Sequence, residues 1–134
     1  MLELTFYKKE NNEPDIIEVS EKCYERLAKV GFDKEVEYKN IELLIEDEKY
    51  EINATVLNKD NIKILLSLIE KERHKELKEA FQKMDNKPTI KEMRESCQYV
   101  KELTEIYESL TLDVYQYFSY DWYKLIVEIM KILA

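Results

Sequence analysis

The side chains that most often carry catalysis are scarce in this chain, which has one histidine, His74, and one glycine, Gly31. A phosphate-binding loop needs several glycines, because only a residue without Cβ lets successive backbone N–H groups close on an anion. A nucleophile elbow needs two glycines around a serine, and the common zinc hydrolase helix needs two histidines four residues apart. The sequence carries none of these motifs, so we expect a protein that binds rather than catalyses.

The single histidine lies in the most strongly charged stretch of the sequence. Its neighbours are Glu70, Arg73, Lys75 and Lys78. A general base works best where a pocket shifts its pKa and an acid orients its ring, and no motif places such groups near His74. We interpret His74 as a solvated helix-surface residue and keep a catalytic role as the alternative.

The acidic residues and the cysteines do not form a metal-binding pattern. The stretch 46–48 and Asp60 lack the glycine and the alternating ligands of a calcium loop, and a di-iron bundle needs two Glu-x-x-His pairs. Cys23 and Cys97 are far apart on apolar helix faces, where a cysteine acts as a small hydrophobic residue. We therefore expect two free thiols and neither a metal nor an organic cofactor.

Negative charge is concentrated in the first part of the chain. The net charge is −8, and residues 1–60 hold 16 Asp and Glu against 9 Lys and Arg, whereas residues 61–134 hold 13 against 12. Glu35 and Glu37 share one face of a predicted strand, and Glu42 and Glu46 point away from its apolar face. These four glutamates could bind a basic protein, such as the nucleic-acid site of a nuclease, or simply keep the protein soluble. The charge disfavours nucleic acid and anionic membranes as partners.

A second candidate surface lies on a final helix predicted from Val114 to Ala134. At about 100° per residue, its apolar residues divide between two faces. The broader face, expected in the core, holds Val114, Phe118, Trp122, Leu125, Ile126, Ile129, Ile132 and Leu133. The opposite face holds Tyr120, Tyr123, Val127 and Met130. Either the helix is buried on both sides, or the second face binds a partner helix or a second copy of the chain.

The elements that must position these residues follow from the periodicity of the apolar residues. Alternation over residues 2–6 and 16–19 predicts two strands, and alternation over 36–45 and 50–56 predicts a hairpin. Ser20 and Gly31 delimit a helix as its N-cap and its left-handed C-cap.

Two long helices are predicted after residue 58. The first carries apolar groups at 62–69 and 77–84, separated by the charged stretch 70–75, where the helix either breaks or projects into solvent. Thr89 and Glu92 form a capping box for the second helix, whose apolar stripe runs from Ile90 to Leu110.

The sequence thus predicts a single α+β domain over residues 1–134. A small, mostly antiparallel N-terminal sheet with one inserted helix is followed by three C-terminal helices packed as a bundle against it. Residues 1–57 form the sheet-rich acidic half and residues 58–134 the helical half. We expect a cytoplasmic protein-binding module, of the class of inhibitors and toxin-neutralising immunity proteins. The alternatives are an enzyme with carboxylate and tyrosine chemistry and a structural homo-oligomer subunit.

Overall fold

The computed structural model describes residues 2–120 and 130–133. Along the chain the elements are β1 (Leu2–Lys8), β2 (Pro14–Val19), α1 (Glu21–Val30), β3 (Lys39–Ile45), β4 (Glu48–Val56), α2 (Lys59–Met84), α3 (Ile90–Thr111) and β5 (Tyr115–Ser119). Residues 130–133 are helical. The expected α+β class is confirmed.

The five strands form one sheet in the order β2-β1-β5-β4-β3. Every neighbouring pair is antiparallel. The last strand lies in the middle, where Phe118 pairs with Phe6 of β1 on one side and with Thr55 of β4 on the other. The supposedly helical half of the chain therefore supplies the central strand of the sheet.

The prediction that Val114 and Phe118 begin the final helix was wrong. Val114 is an exposed turn residue, and Phe118 is a buried residue of β5. Positions i and i+4 share a face in a strand as well as in a helix, so the spacing of these two residues fits either structure. Tertiary packing favours the strand, because the Phe118 ring lies 4.8 Å from that of Phe6 and 6.1 Å from that of Phe32.

The hydrophobic core lies between the sheet and the helices α1, α2 and α3. Its fully buried large side chains come from both halves of the chain: Leu4, Phe6, Val19, Tyr24, Leu27, Phe32, Leu65, Ile69, Leu103, Ile106, Phe118 and Tyr120. The core therefore fixes the N-terminal half of α2 and the C-terminal half of α3 against the sheet.

Helix α1 begins and ends as its sequence predicts. The Ser20 side chain accepts a hydrogen bond from the Cys23 N–H, and Gly31 adopts a left-handed conformation with φ 118°. A Cβ at position 31 would lie 2.6 Å from Cγ of Glu35. The glycine is thus required both by its backbone angle and by a close approach.

We expect Gly31→Ala to lower the free energy of unfolding by about 1–3 kcal/mol, because a residue with a Cβ is strained at a positive φ. Urea denaturation of the purified variant measures this change. Adding Glu35→Ala to the variant removes the contact but not the backbone strain, so it should restore only part of the loss. An unchanged unfolding midpoint for Gly31→Ala would contradict this account.

Candidate functional site

Helix α2 runs without a break through the charged stretch 70–75, so the helix projects rather than ends there. Its first turn is capped by Asn58, whose side chain accepts a hydrogen bond from the Asn61 N–H. With 26 residues, α2 is about 39 Å long, whereas the ten residues of α1 span about 15 Å. Within residues 77–98, which we call the hairpin tip, no residue is buried.

The hairpin tip exposes large apolar side chains. Leu77, Phe81 and Met84 of α2 are 46, 66 and 51% exposed, and Ile90 and Met93 of α3 are 71 and 44% exposed. Spacings of three and four residues place them as one stripe on each helix. Contiguous apolar surface of this kind in a soluble protein typically marks an interaction site.

Four of these five side chains, all but Ile90, line a groove of about 170 Å³ between the two helices, which we call the tip groove. Its walls are formed by Leu77, Ala80, Phe81, Lys83, Met84, Pro88, Glu92, Met93, Ser96 and Cys97. Lys83 and Glu92 supply its two charges, one of each sign. A groove between two helices with an apolar lining is suited to bind the apolar face of another helix.

Below the tip, a buried polar group joins the three helices, and we call Arg26, Glu72, Glu76 and Tyr99 the base cluster. The Arg26 guanidinium of α1 lies 3.2 Å from the Glu72 carboxylate and 2.8 Å from that of Glu76, both on α2. It also stacks over the Tyr99 ring of α3, 4.0 Å from its centroid. The Tyr99 hydroxyl donates a hydrogen bond of 2.7 Å to Glu72.

The surroundings of the base cluster fix its protonation states. Burial by itself raises the pKa of Glu76, but hydrogen bonds from Arg26 and Ser96 outweigh it and hold this pKa below its ordinary value. Burial and the hydrogen bond to Glu72 raise the pKa of Tyr99 far above its ordinary value. At neutral pH, Glu76 is therefore charged and Tyr99 keeps its proton as a donor.

A third buried carboxylate, Glu102 of α3, binds the start of α1. One of its oxygens accepts hydrogen bonds of 3.1 Å from the Ser20 N–H and hydroxyl, and the other accepts one of 3.2 Å from Gln98. Burial, and next the negative charge of Glu102, raise the pKa of the Cys23 thiol. This thiol therefore keeps its proton at neutral pH.

The base cluster contains a carboxylate beside a tyrosine, an arrangement that could serve an enzyme. Here, however, the same Glu72 oxygen accepts from Tyr99 and lies against Arg26. These contacts link one helix to another, so the polar atoms satisfy each other across the helix interfaces. Their evident chemical role is to hold the helices together.

The structure separates the four acidic residues predicted to bind a partner. Glu42 lies on β3 and Glu46 in the turn that follows it, whereas Glu35 and Glu37 lie in the segment before β3. The strand predicted for these last two was wrong, because the chain after α1 continues as a turn in which the Glu35 N–H donates to the Gly31 carbonyl. All four are exposed.

The hairpin of β3 and β4 nevertheless gathers other carboxylates around Glu42 and Glu46. We call it the acidic hairpin, and its exposed acidic residues are Glu42, Glu46, Asp47, Glu48 and Glu51. Glu42 pairs across the strands with Glu51 and lies 3.6 Å from the Lys49 ammonium. The turn has φ of 50° at Glu46 and 66° at Asp47, as in the tight turns that match the twist of a hairpin.

Tyr120, predicted on the second apolar face of the final helix, does not lie on a helix. Tyr120 is fully buried, stacks on Tyr24 with ring centroids 4.4 Å apart, and donates a 2.6 Å hydrogen bond to the Tyr24 carbonyl. It is a core residue because the strand β5 directs the chain against α1. Tyr123 and Val127 lie outside the described residues. Met130 is exposed.

The predicted core face of the final helix also needs correction at its end. Ile132 and Leu133 are 71 and 81% exposed. Trp122, Leu125, Ile126 and Ile129 lie outside the described residues. The helical residues 130–133 therefore present apolar side chains in several directions.

The remaining candidates have simpler environments. His74 is exposed on α2, Cys23 is buried, and Cys97 is exposed at the tip groove. Among the described residues, no group of His, Cys, Asp and Glu could hold a metal ion. In the same part of the chain, no helix combines the length and apolarity needed to span a membrane.

The sequence pattern identified the apolar residues of the tip but left open whether the helix breaks or projects, so it did not predict their exposure. The signal was the length of the second predicted helix, since its apolar residues at 77–84 lie beyond the reach of the short helix α1 and the sheet. A charged stretch inside a long helix is thus an indication of a projecting segment.

We expect Arg26→Met to lower the free energy of unfolding by about 3–5 kcal/mol, because it leaves two buried carboxylates without their cation. The matched control is Lys29→Met, which removes an exposed ion pair of the same helix with Glu25 and should cost less than about 1 kcal/mol. Urea denaturation at neutral pH compares the two. Equal losses would show that the base cluster does not stabilise the fold.

The stability that Glu76 contributes should disappear in acid. Because its pKa is lower in the folded protein than in the unfolded chain, the contribution is present above the unfolded pKa and is lost as the pH falls through the folded pKa. The difference in unfolding free energy between the parent and Glu76→Gln should therefore shrink from about pH 5 to about pH 3. Glu70→Gln, at an exposed position, is the control. A difference in unfolding free energy that does not change with pH would contradict the lowered pKa of Glu76.

Comparisons with protein family models, with curated proteins and with solved structures found no match to this chain. Its function must therefore be inferred from the arrangement of its own side chains.

Proposed function

We propose that this protein is a small protein-binding module whose principal contact surface is the tip groove. The observation that carries the proposal is the exposure of five large apolar side chains on adjoining turns of two helices: Leu77, Phe81, Met84, Ile90 and Met93. Exposing these side chains costs free energy that a bound partner would recover. Two of them are methionines, whose flexible side chains adapt to the shape of a partner.

The position of the groove also supports binding. The tip extends past the core, but the base cluster ties α2 and α3 to α1 immediately below it. A groove held in this way loses little conformational entropy when a partner binds. Interaction surfaces built on fixed helices are accordingly more effective than those on loops.

A second candidate surface is the acidic hairpin, favoured by its five exposed carboxylates. They would attract a basic partner and speed its association. Within this proposal, the protein neutralises its partner, as inhibitors and toxin-neutralising immunity proteins do, and binds neither nucleic acid nor membranes. Its free Cys97, exposed to solvent, supports a reducing compartment such as the cytoplasm.

The alternative from another class is an enzyme with carboxylate and tyrosine chemistry. Its best candidate residues are Glu72 and Tyr99 of the base cluster. Their contacts with each other and with Arg26 favour a structural role. We therefore place the function at the tip groove and not at this cluster.

We expect Phe81→Asp to abolish capture of the partner, because it places a charge inside the apolar groove. The parent and the variant, immobilised side by side, are exposed to an extract of the source cell, and bound proteins are identified. Ile16→Asp is the matched control, since Ile16 is 53% exposed on β2 and lies outside both the groove and the acidic hairpin. Circular dichroism checks that each variant is folded.

The acidic hairpin is tested in the same experiment. Reversing Glu42 and Glu46 to lysine should slow association and reduce its salt dependence without abolishing capture. If Phe81→Asp captures the partner as well as the parent while the charge-reversed variant does not, the acidic hairpin is the contact surface. If all variants capture it equally, neither surface binds it and the proposal fails.

A further inference from the structure

The chain exposes a second apolar element besides the tip groove. In the helical residues 130–133, the apolar side chains of Met130, Ile132 and Leu133 are 63, 71 and 81% exposed. The groove residues Leu77 and Phe81 are exposed in the same chain. One copy of the protein therefore holds an uncovered apolar helix end and an uncovered apolar groove at the same time.

The sequence of this C-terminal segment has the spacing that a helix needs to enter a groove. Ile126, Ile129 and Leu133, which share one helical face, stand at positions i, i+3 and i+7. These are the anchor positions of an amphipathic helix that lays its apolar face into a hydrophobic groove. The groove offers leucine, phenylalanine and methionine side chains as the opposing surface.

The charge distribution permits these two surfaces to meet. The whole chain carries a net charge of −8, so contact between two acidic hairpins would be repulsive. In contrast, residues 77–98 hold five Lys and Arg against four Asp and Glu, and residues 121–134 hold two against two. The groove and the C-terminal segment are thus two nearly neutral regions of a strongly acidic protein.

We propose that the tip groove binds the C-terminal segment of a second copy of this chain through its helical residues 130–133, and that the exchange is reciprocal. Two copies related by a twofold axis form two identical contacts, which closes the assembly as a dimer. The inference rests on the proposed function of the groove and names its occupant. The dimer covers both exposed apolar surfaces, and Cys97, which lines the groove, becomes protected.

Sedimentation equilibrium tests the proposal on the full chain. We expect the parent to have twice the mass of one chain, and Phe81→Asp and Leu133→Asp each to have the mass of one chain. Ile16→Asp, which changes an exposed isoleucine of β2 outside both proposed surfaces, should remain a dimer. A monomeric parent, or a dimer that survives Phe81→Asp or Leu133→Asp, overturns the proposal.

Mixing the two monomeric variants distinguishes this exchange from other dimers. The Phe81→Asp copy retains an intact C-terminal segment, and the Leu133→Asp copy retains an intact groove, so the mixture restores one of the two contacts. Alkylation of Cys97 in the Leu133→Asp copy should slow when the Phe81→Asp copy is added in excess. If no excess of the Phe81→Asp copy protects Cys97, the proposal is overturned. A dimer formed by two identical surfaces would give this result, because neither variant could supply the surface that the other lacks.

The outcome also separates this inference from the proposed function. Protection of Cys97 in a monomeric parent would mean that each chain covers its own groove, which overturns the dimer. A monomeric parent that loses its captured partner on Phe81→Asp would leave the groove as a binding site for another protein. In that case the inference fails and the proposed function stands.

Discussion

The arrangement of the helices depends on one cation, Arg26, held between the buried carboxylates of Glu72 and Glu76 and over the ring of Tyr99. Burying two carboxylates without a cation would cost several kcal/mol. Helix α1 must therefore lie against α2 where Glu72 and Glu76 are buried, so that Arg26 reaches both. The Tyr99 hydroxyl extends the same requirement to α3. Beyond the end of the apolar core, these charge pairs and hydrogen bonds thus fix the positions of the three helices relative to one another.

This constraint explains how an apolar surface can remain exposed on a folded protein. Leu65 and Ile69 are buried in the core, the base cluster follows one to two turns later, and Leu77 and Phe81 beyond it have no sheet to pack on. The polar layer separates an apolar region that stabilises the fold from one that is free to bind. The same helix therefore carries a buried apolar segment and an exposed one along its length.

The distribution of charge is consistent with that division. The acidic hairpin and the nearly neutral hairpin tip are built on different elements, one on the edge of the sheet and the other on the helices. Repulsion between like surfaces would oppose association through the first, while the second offers apolar area with charges of both signs. Encounter and tight contact can thus be served by different parts of one small protein.

Local signals in the sequence determined much of the fold. Ser20, Gly31, Asn58 and Thr89 act as the caps that their residue types favour, because a cap depends on hydrogen bonds within a few residues. Alternation of apolar residues likewise identified β1 and the hairpin of β3 and β4, and the scarcity of histidine and glycine excluded the common catalytic motifs. Of the predicted site residues, Glu42, Glu46 and Met130 lie at exposed positions, and the structure groups the first two.

Only the tertiary structure decided the remainder, because the contacts involved join residues far apart in the chain. Phe118 fits a helix or a strand by its spacing, and the space between β1 and β4 made it a strand residue. For Tyr120 the sequence left burial and partner contact open, and the hydrogen bond to Tyr24, 96 positions away, made it a core residue. Glu72 and Glu76 look like surface residues in the sequence, since their burial depends on a cation of another helix. The sequence by itself determined the helices α1, α2 and α3 and their apolar residues, and the packing of α1 and the sheet decided which of those apolar residues remain exposed.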